Sequence, residues 1–182
     1  MQTFAVYVDN KPGVLNRVAS LFRRRAFNIE SLTVGHAETE GVSRMTIVVS
    51  TDDFGARRVE SNLYKLIDVL RVDNITSRPS VTRDLALIKV GATRETRVEI
   101  MQLAEAYRAR VVDVAPDSLI VEVTGAEEKV DSMVEVLQPY GVLELARTGR
   151  VTMARGAVQQ PEMTRDFEEI EAVEDAAVSY SV

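Results

Sequence analysis

The chain has 182 residues and a formal net charge of −6, with 46% hydrophobic and 27% charged residues, the balance of an ordinary soluble globular protein. It has no Cys and a single His, His36, which excludes disulfides, thiolate catalysis, zinc ribbons and the two-histidine HExxH motif. No run approaches the roughly 18 apolar residues a membrane helix needs. Met1 leads almost directly into a strand-like segment, so no signal peptide is expected and the cytoplasm is the expected location.

Thr3–Val8 is apolar and β-rich, and Asp9-Asn10-Lys11-Pro12-Gly13 is turn chemistry. Leu15, Val18, Ala19 and Phe22 then follow helical spacing. Asn28–Glu38, with Ile29, Leu32 and Val34, reads as a strand, and Thr39-Glu40-Gly41 as a short turn. Ser43–Ser50 alternates, with Met45, Ile47 and Val49 on one face. Thr51-Asp52-Asp53 offers helix N-cap residues, and Val59, Leu63, Leu66 and Ile67 mark the helix that follows. Val69–Ile75 reads as a fourth strand, so the order is βαββαβ.

The second half repeats that order. Leu85–Val90 is a continuous apolar run, as a buried central strand shows. Ile100, Leu103, Ala104 and Tyr107 share one helical face. Val111–Val114 and Leu119–Val123 flank the turn Ala115-Pro116-Asp117-Ser118, a hairpin pattern. Val130, Met133, Val134 and Leu137 mark another helix, Val142–Ala146 the last clear strand, and Val151–Ala154 is expected to extend it after Gly149. The fold class is therefore α+β, built from two ferredoxin-like βαββαβ units, each a sheet with both helices on one face. The expected organisation is a first unit over 1–76, a linker over 77–83 around Pro79, a second unit over 84–156 and a tail over 157–182. Units this small leave a sheet face and edge strands open. Thr33, Arg44, Thr46 and Val48 would partly occupy that face in the first unit, and a homodimer is expected.

The charge is uneven. Residues 157–182 hold seven acids and one base, leaving residues 1–156 neutral with 21 of each. A neutral body argues against nucleic-acid binding, which needs a net basic face. The tail reads as a solvated, disordered end, or as a short amphipathic helix carrying Phe167 and Ile170 that docks on a partner.

The segment with chemistry in it is Asp9–Leu15. A helix start leaves free backbone N–H groups and a partial positive charge, which suits a carboxylate or phosphate. Gly13 lets a ligand approach the backbone, and the Asn10 amide can donate to a carboxylate and accept from an ammonium. Val14, Leu15 and Ile29 are candidates to line an apolar pocket. These groups match the three parts of an aliphatic amino acid. If two chains pair edge to edge, Asn28 of one could face Asn10 and Gly13 of the other. From spacing alone, the same residues read more readily as only a turn with a cap. Neither a phosphate-loop pattern nor GxGxxG is present. His36 reads as a surface or interface residue, and Arg23-Arg24-Arg25 as cations favouring a helix C-terminus or, alternatively, a contact for a partner.

Asn10–Val18 is similar to the opening loop and helix of ACT domains, which bind small effectors, commonly amino acids. Asn28-Ile29-Glu30-Ser31-Leu32-Thr33-Val34, with Ser43-Arg44-Met45-Thr46 and Lys65-Leu66-Ile67-Asp68-Val69-Leu70, resembles the regulatory small subunits of acetolactate synthase, also called acetohydroxyacid synthase. Arg83–Gly156 resembles that family's C-terminal domain, including Ile120–Gly125 and Ala146-Arg147-Thr148-Gly149. The resemblance implies an N-terminal ACT domain and a chain without catalytic residues, metal or cofactor of its own. The family's large catalytic subunit holds thiamine diphosphate, FAD and magnesium. The small subunit raises its activity and confers feedback inhibition by valine, sometimes leucine or isoleucine, in branched-chain amino acid biosynthesis. By that resemblance the effector lies between two ACT domains of a homodimer, on Asn10, Gly13, Val14, Leu15, Asn28 and Ile29. The acidic tail has no counterpart in the resemblance.

Two other functions compete. An amino-acid-sensing transcription regulator needs a helix-turn-helix with a basic face, against two βαββαβ halves and a neutral body. An independent enzyme needs a nucleophile motif such as GxSxG, which the chain lacks.

Overall fold

The structure is a computed structural model and describes residues 1–156. The acidic segment 157–182, with Phe167 and Ile170, lies outside the described residues. Two compact units form. The first comprises Met1–Glu30 and Val34–Ser77 with Arg155 and Gly156, and the second Ser31–Thr33 and Arg78–Ala154.

In the first unit the elements run β1 (Gln2–Asp9), α1 (Val14–Arg24), β2 (Ile29–His36), β3 (Val42–Val49), α2 (Asp53–Leu63) and β4 (Val69–Asn74). The sheet order is β2-β3-β1-β4, and β1 pairs antiparallel with both β3 and β4. Both helices lean their apolar stripes on one sheet face. Val18 and Phe22 of α1, Val59 and Leu63 of α2, and Phe4, Val6 and Ile47 of the strands are all essentially buried. Each such side chain is worth about 1.5–3 kcal/mol of transfer free energy. Asp52 caps α2, its Oδ1 accepting from the Gly55 N–H at 2.7 Å.

The other face of this sheet differs from the sequence reading. Thr46 and Val48, expected on an open surface, are buried, as are Ala5 and Tyr7. Arg71 lies there at 5% exposure. Its guanidinium stacks 3.8 Å from the Tyr7 ring centroid and its Nε donates to Asp73 at 3.0 Å. A buried cation is tolerated because it has both an aromatic face and a carboxylate. Periodicity identified the outward-facing residues but carried no information on how deeply they are buried.

The second unit runs β5 (Ser80–Gly91), α3 (Arg97–Ala106), β6 (Arg110–Val114), β7 (Ser118–Gly125), α4 (Glu127–Leu137), β8 (Val142–Arg147) and β9 (Val151–Ala154). The order β6-β7-β5-β8 reproduces that of the first unit. Its core holds Ile88, Val90, Ile100, Leu119, Val121, Met133 and Leu137. Three boundaries shift from the sequence reading. Residues 80–83, expected in the linker, are the start of the twelve-residue β5. Val151–Ala154 does not prolong β8 but pairs antiparallel with that same stretch, Ser80 opposite Ala154. Leu66 and Ile67, which continue the helical spacing of α2, lie beyond its end, where the chain tightens through Lys65 N–H to Asn62 O and Leu66 N–H to Leu63 O. Neither unit contains a helix-turn-helix pair among the described residues, and no described helix is long and apolar enough to cross a membrane.

Removal of the cap by Asp52→Ala should cost about 1 kcal/mol, while Ile88→Ala in the second core should cost about 2–5 kcal/mol. Chemical denaturation followed by circular dichroism checks both, and equal losses would contradict the burial difference between the two positions.

Candidate functional site

The turn between β1 and α1 is built around Gly13. Its φ of 84° is left-handed, a conformation that glycine adopts without strain. Gly13 is the N-cap residue of α1, and no side chain caps this helix. The first amides of a helix have no acceptor within it. Here the Val14 N–H turns back to Lys11 O at 3.4 Å, and Arg17 is the first to donate in helical register, to Gly13 O at 3.0 Å. The Leu15 and Asn16 amides lie between them, at an exposed helix start with a partial positive charge.

Asn10 is exposed, and its backbone N–H donates to Gly41 O at 2.8 Å, which fixes the turn against the β2–β3 hairpin. Leu15 is 46% exposed and offers apolar surface, whereas Val14 is buried at 2% and packs into the core. Ile29 is half-buried at the start of the edge strand β2. Asn28, just before it, is exposed, and its Nδ2 donates to Glu30 Oε1 at 2.7 Å.

Strand direction decides which of these groups meet. β1 runs antiparallel to β3, and β3 returns from β2 through a hairpin. β1 and β2 therefore point the same way. Asn10 and Gly13 follow the last residue of β1, and Asn28 precedes the first residue of β2. The two groups lie at opposite ends of the sheet, about 26 Å apart for eight-residue strands at ~3.3 Å per residue. One chain does not bring Asn28 to Gly13.

Three residues that the sequence reading did not single out hold these groups in place, Arg17 and Asp68 at the Gly13 turn and Glu30 beside Asn28 at the other end of the sheet. Arg17 reaches back over the turn, its Nη2 lying 3.9 Å from where a Cβ on Gly13 would be. Its Nη1 donates to Asp68 Oδ2 at 2.6 Å. Glu30 holds the Asn28 amide. The spacing of Gly13 and Arg17, four apart on one helix face, was a usable signal, as was the two-residue spacing of Asn28 and Glu30.

The second unit provides an internal comparison, because its β5–α3 turn occupies the same topological place. There Thr93 Oγ1 accepts from the Glu95 and Thr96 amides at 3.3 and 3.2 Å, and the Thr93 N–H donates to Thr96 Oγ1 at 3.0 Å. Those bonds knit the turn that precedes α3, whose N-cap residue Thr96 makes no side-chain cap either; the Arg97 N–H donates to Thr93 O at 3.1 Å. His36 is exposed at the end of β2, and no group of three or more His, Cys, Asp or Glu among the described residues could hold a metal ion.

Residues 4–71 match the model of the AHAS small subunit-like ACT domain, and residues 83–156 that of the small subunit of acetolactate synthase. The chain is 56% identical over 154 residues to a probable acetolactate synthase small subunit of Archaeoglobus fulgidus, covering 85% of this chain and 96% of that one. It is 49% identical over 154 residues to the acetolactate synthase small subunit of Bacillus subtilis, covering 84% and 90%. A crystal structure of the small subunit from Thermotoga maritima superimposes with a TM-score of 0.81 at 42% identity, covering 86% of this chain and 98% of that one.

Proposed function

Because the chain belongs to the family of acetolactate synthase small subunits, we propose that it activates the catalytic large subunit and makes it sensitive to a branched-chain amino acid, valine first among them. The observation that carries this reading is the start of α1 at the left-handed Gly13, where no side chain caps the helix, beside the exposed Asn10 and Leu15. The amides would take the effector's carboxylate, Asn10 its ammonium or carboxylate, and Leu15 its branched side chain. Val14, being buried, would contribute backbone rather than side-chain surface.

Asn28 and Ile29 would come from a second copy. If the edge strands β2 of two chains pair antiparallel, the start of one β2 lies beside the end of the other. That carries Asn28 to the Gly13 end of its neighbour's sheet. The effector site then straddles a homodimer seam, and its occupancy favours one dimer geometry over another. Only one geometry would activate the catalytic subunit. Thiamine diphosphate, FAD and magnesium belong to that large subunit, and we place the complex in the cytoplasm. The docking surface for the large subunit would lie on the second unit, where Val98, Met101, Val112 and Val114 are 46–60% exposed around α3 and β6.

Titration of the purified chain with valine, leucine and isoleucine by calorimetry tests the effector. Asn10→Ala should weaken binding by about 1.5–3 kcal/mol through loss of a charge-assisted hydrogen bond. Gly13→Asp should abolish valine inhibition of the reconstituted complex while leaving activation in place, and unchanged inhibition would remove Gly13 from the site. A chain ending at Pro79 should lose activation of the large subunit. Full activation by that truncated chain would move the docking surface to the first unit.

A further inference from the structure

Asp68 lies 51 positions from Arg17 in sequence, just before β4, and its side chain is 9% exposed. Two of its oxygens hold the two ends of the Gly13 turn. The backbone oxygen accepts from the Asp9 N–H at 2.9 Å, and carboxylate Oδ2 accepts from Arg17 Nη1 at 2.6 Å. Between those anchors lies the stretch with Asn10, Gly13 and Leu15. The far side of the same guanidinium, Nη2, stands over Gly13.

We propose that Asp68 is the positioning residue of the effector turn: it touches no effector, but through Arg17 and the Asp9 amide it holds the turn in its binding shape before anything binds. The inference rests on the effector reading given above. Its physical basis is preorganisation. A turn pinned at both ends has already lost the conformational freedom that a loose one would lose on binding. Arg17 is half-exposed, so without its carboxylate partner its side chain would swing through solvent instead of lying along the turn. The buried Asp68 has few alternative positions, which makes it the fixed end of the pair and Arg17 the strut.

The test uses the full chain in four forms: wild type, Asp68→Asn, Arg17→Gln and the double variant. Calorimetric titration with valine should show each single variant binding about tenfold more weakly, because the loosened turn must then be ordered on binding. The double variant should bind no more weakly than either single one, because the two residues act as one device. Asp68→Glu, which retains a carboxylate, should recover most of the loss. Amide hydrogen exchange without any amino acid should be faster across residues 9–17 in both single variants. A merely destabilising substitution would give additive losses and no rescue. Should Asp68→Asn fail to fold, Arg17→Gln at its half-exposed position carries the same two measurements. Wild-type affinity and unchanged exchange in the variants overturn the proposal. If the wild type takes up none of valine, leucine or isoleucine, the effector reading fails, and the exchange data alone decide whether Asp68 pins the turn.

Discussion

β1 and β2 of the first unit run in the same direction, with β3 returning between them. This follows from the βαββαβ order, in which a helix crosses over between two strands that end up one strand apart. Everything located at the end of β1 is thereby separated from everything at the start of β2 by the length of the sheet. The Gly13 turn and Asn28 are such a pair. No rotamer change or loop adjustment within a chain can unite them, because the sheet between them is a hydrogen-bonded, closely packed body. On the proposed reading, the need for a second copy is a property of the topology before it is a property of any side chain.

The two units share that topology, and the turns before their first helices differ. In the second unit, Thr93 and Thr96 bond each other and the Glu95 and Thr96 amides, so the turn before α3 is knitted by its own side chains although α3 too has no side-chain cap. In the first unit, Gly13 has no side chain to offer, and the helix starts uncapped. As an N-cap, glycine gives up only a few tenths of a kcal/mol against Ser, Thr, Asp or Asn, and it takes the left-handed φ of 84° without strain. The first unit thus keeps an exposed helix start free of capping side chains at little cost.

Much of this could be read along the sequence. Two periods, near two for strands and 3.6 for helices, placed the four helices and every strand but β9, because burial on one face imposes them directly. Periodicity cannot report where hydrogen bonding stops. Leu66 and Ile67 keep the helical spacing after α2 has ended, and the first four residues of β5 looked like linker because their partner, β9, lies some 70 residues away. The site divides in the same manner. Gly13, Asn10 and Leu15 are local and were legible as a turn at a helix start. Val14 looked like pocket lining, yet its side chain points into the core. Arg17 and Glu30 had short-range spacing that could have found them. Asp68 had none, since its role exists only once β4 lies beside β1 and the Asp9 amide has found its backbone oxygen.

The energies suit a regulator without chemistry of its own. A ligand shifts an equilibrium between two arrangements only by its difference in affinity for them. Coupling between sites typically amounts to about 1–3 kcal/mol. A charge-assisted hydrogen bond contributes about 1.5–3 kcal/mol. One bond from an effector to the neighbouring copy, made in one dimer geometry and lost in the other, is therefore enough to supply the whole of that coupling. A site enclosed within a single chain would need a further relay of packed side chains to reach the subunit seam. On the proposed reading, a seam site needs none, because each contact the effector makes to the second copy depends on how the two copies are arranged. On the same reading, the separation that topology imposes on Gly13 and Asn28 is the one in which a small amino acid would act on a dimer with the fewest intermediates.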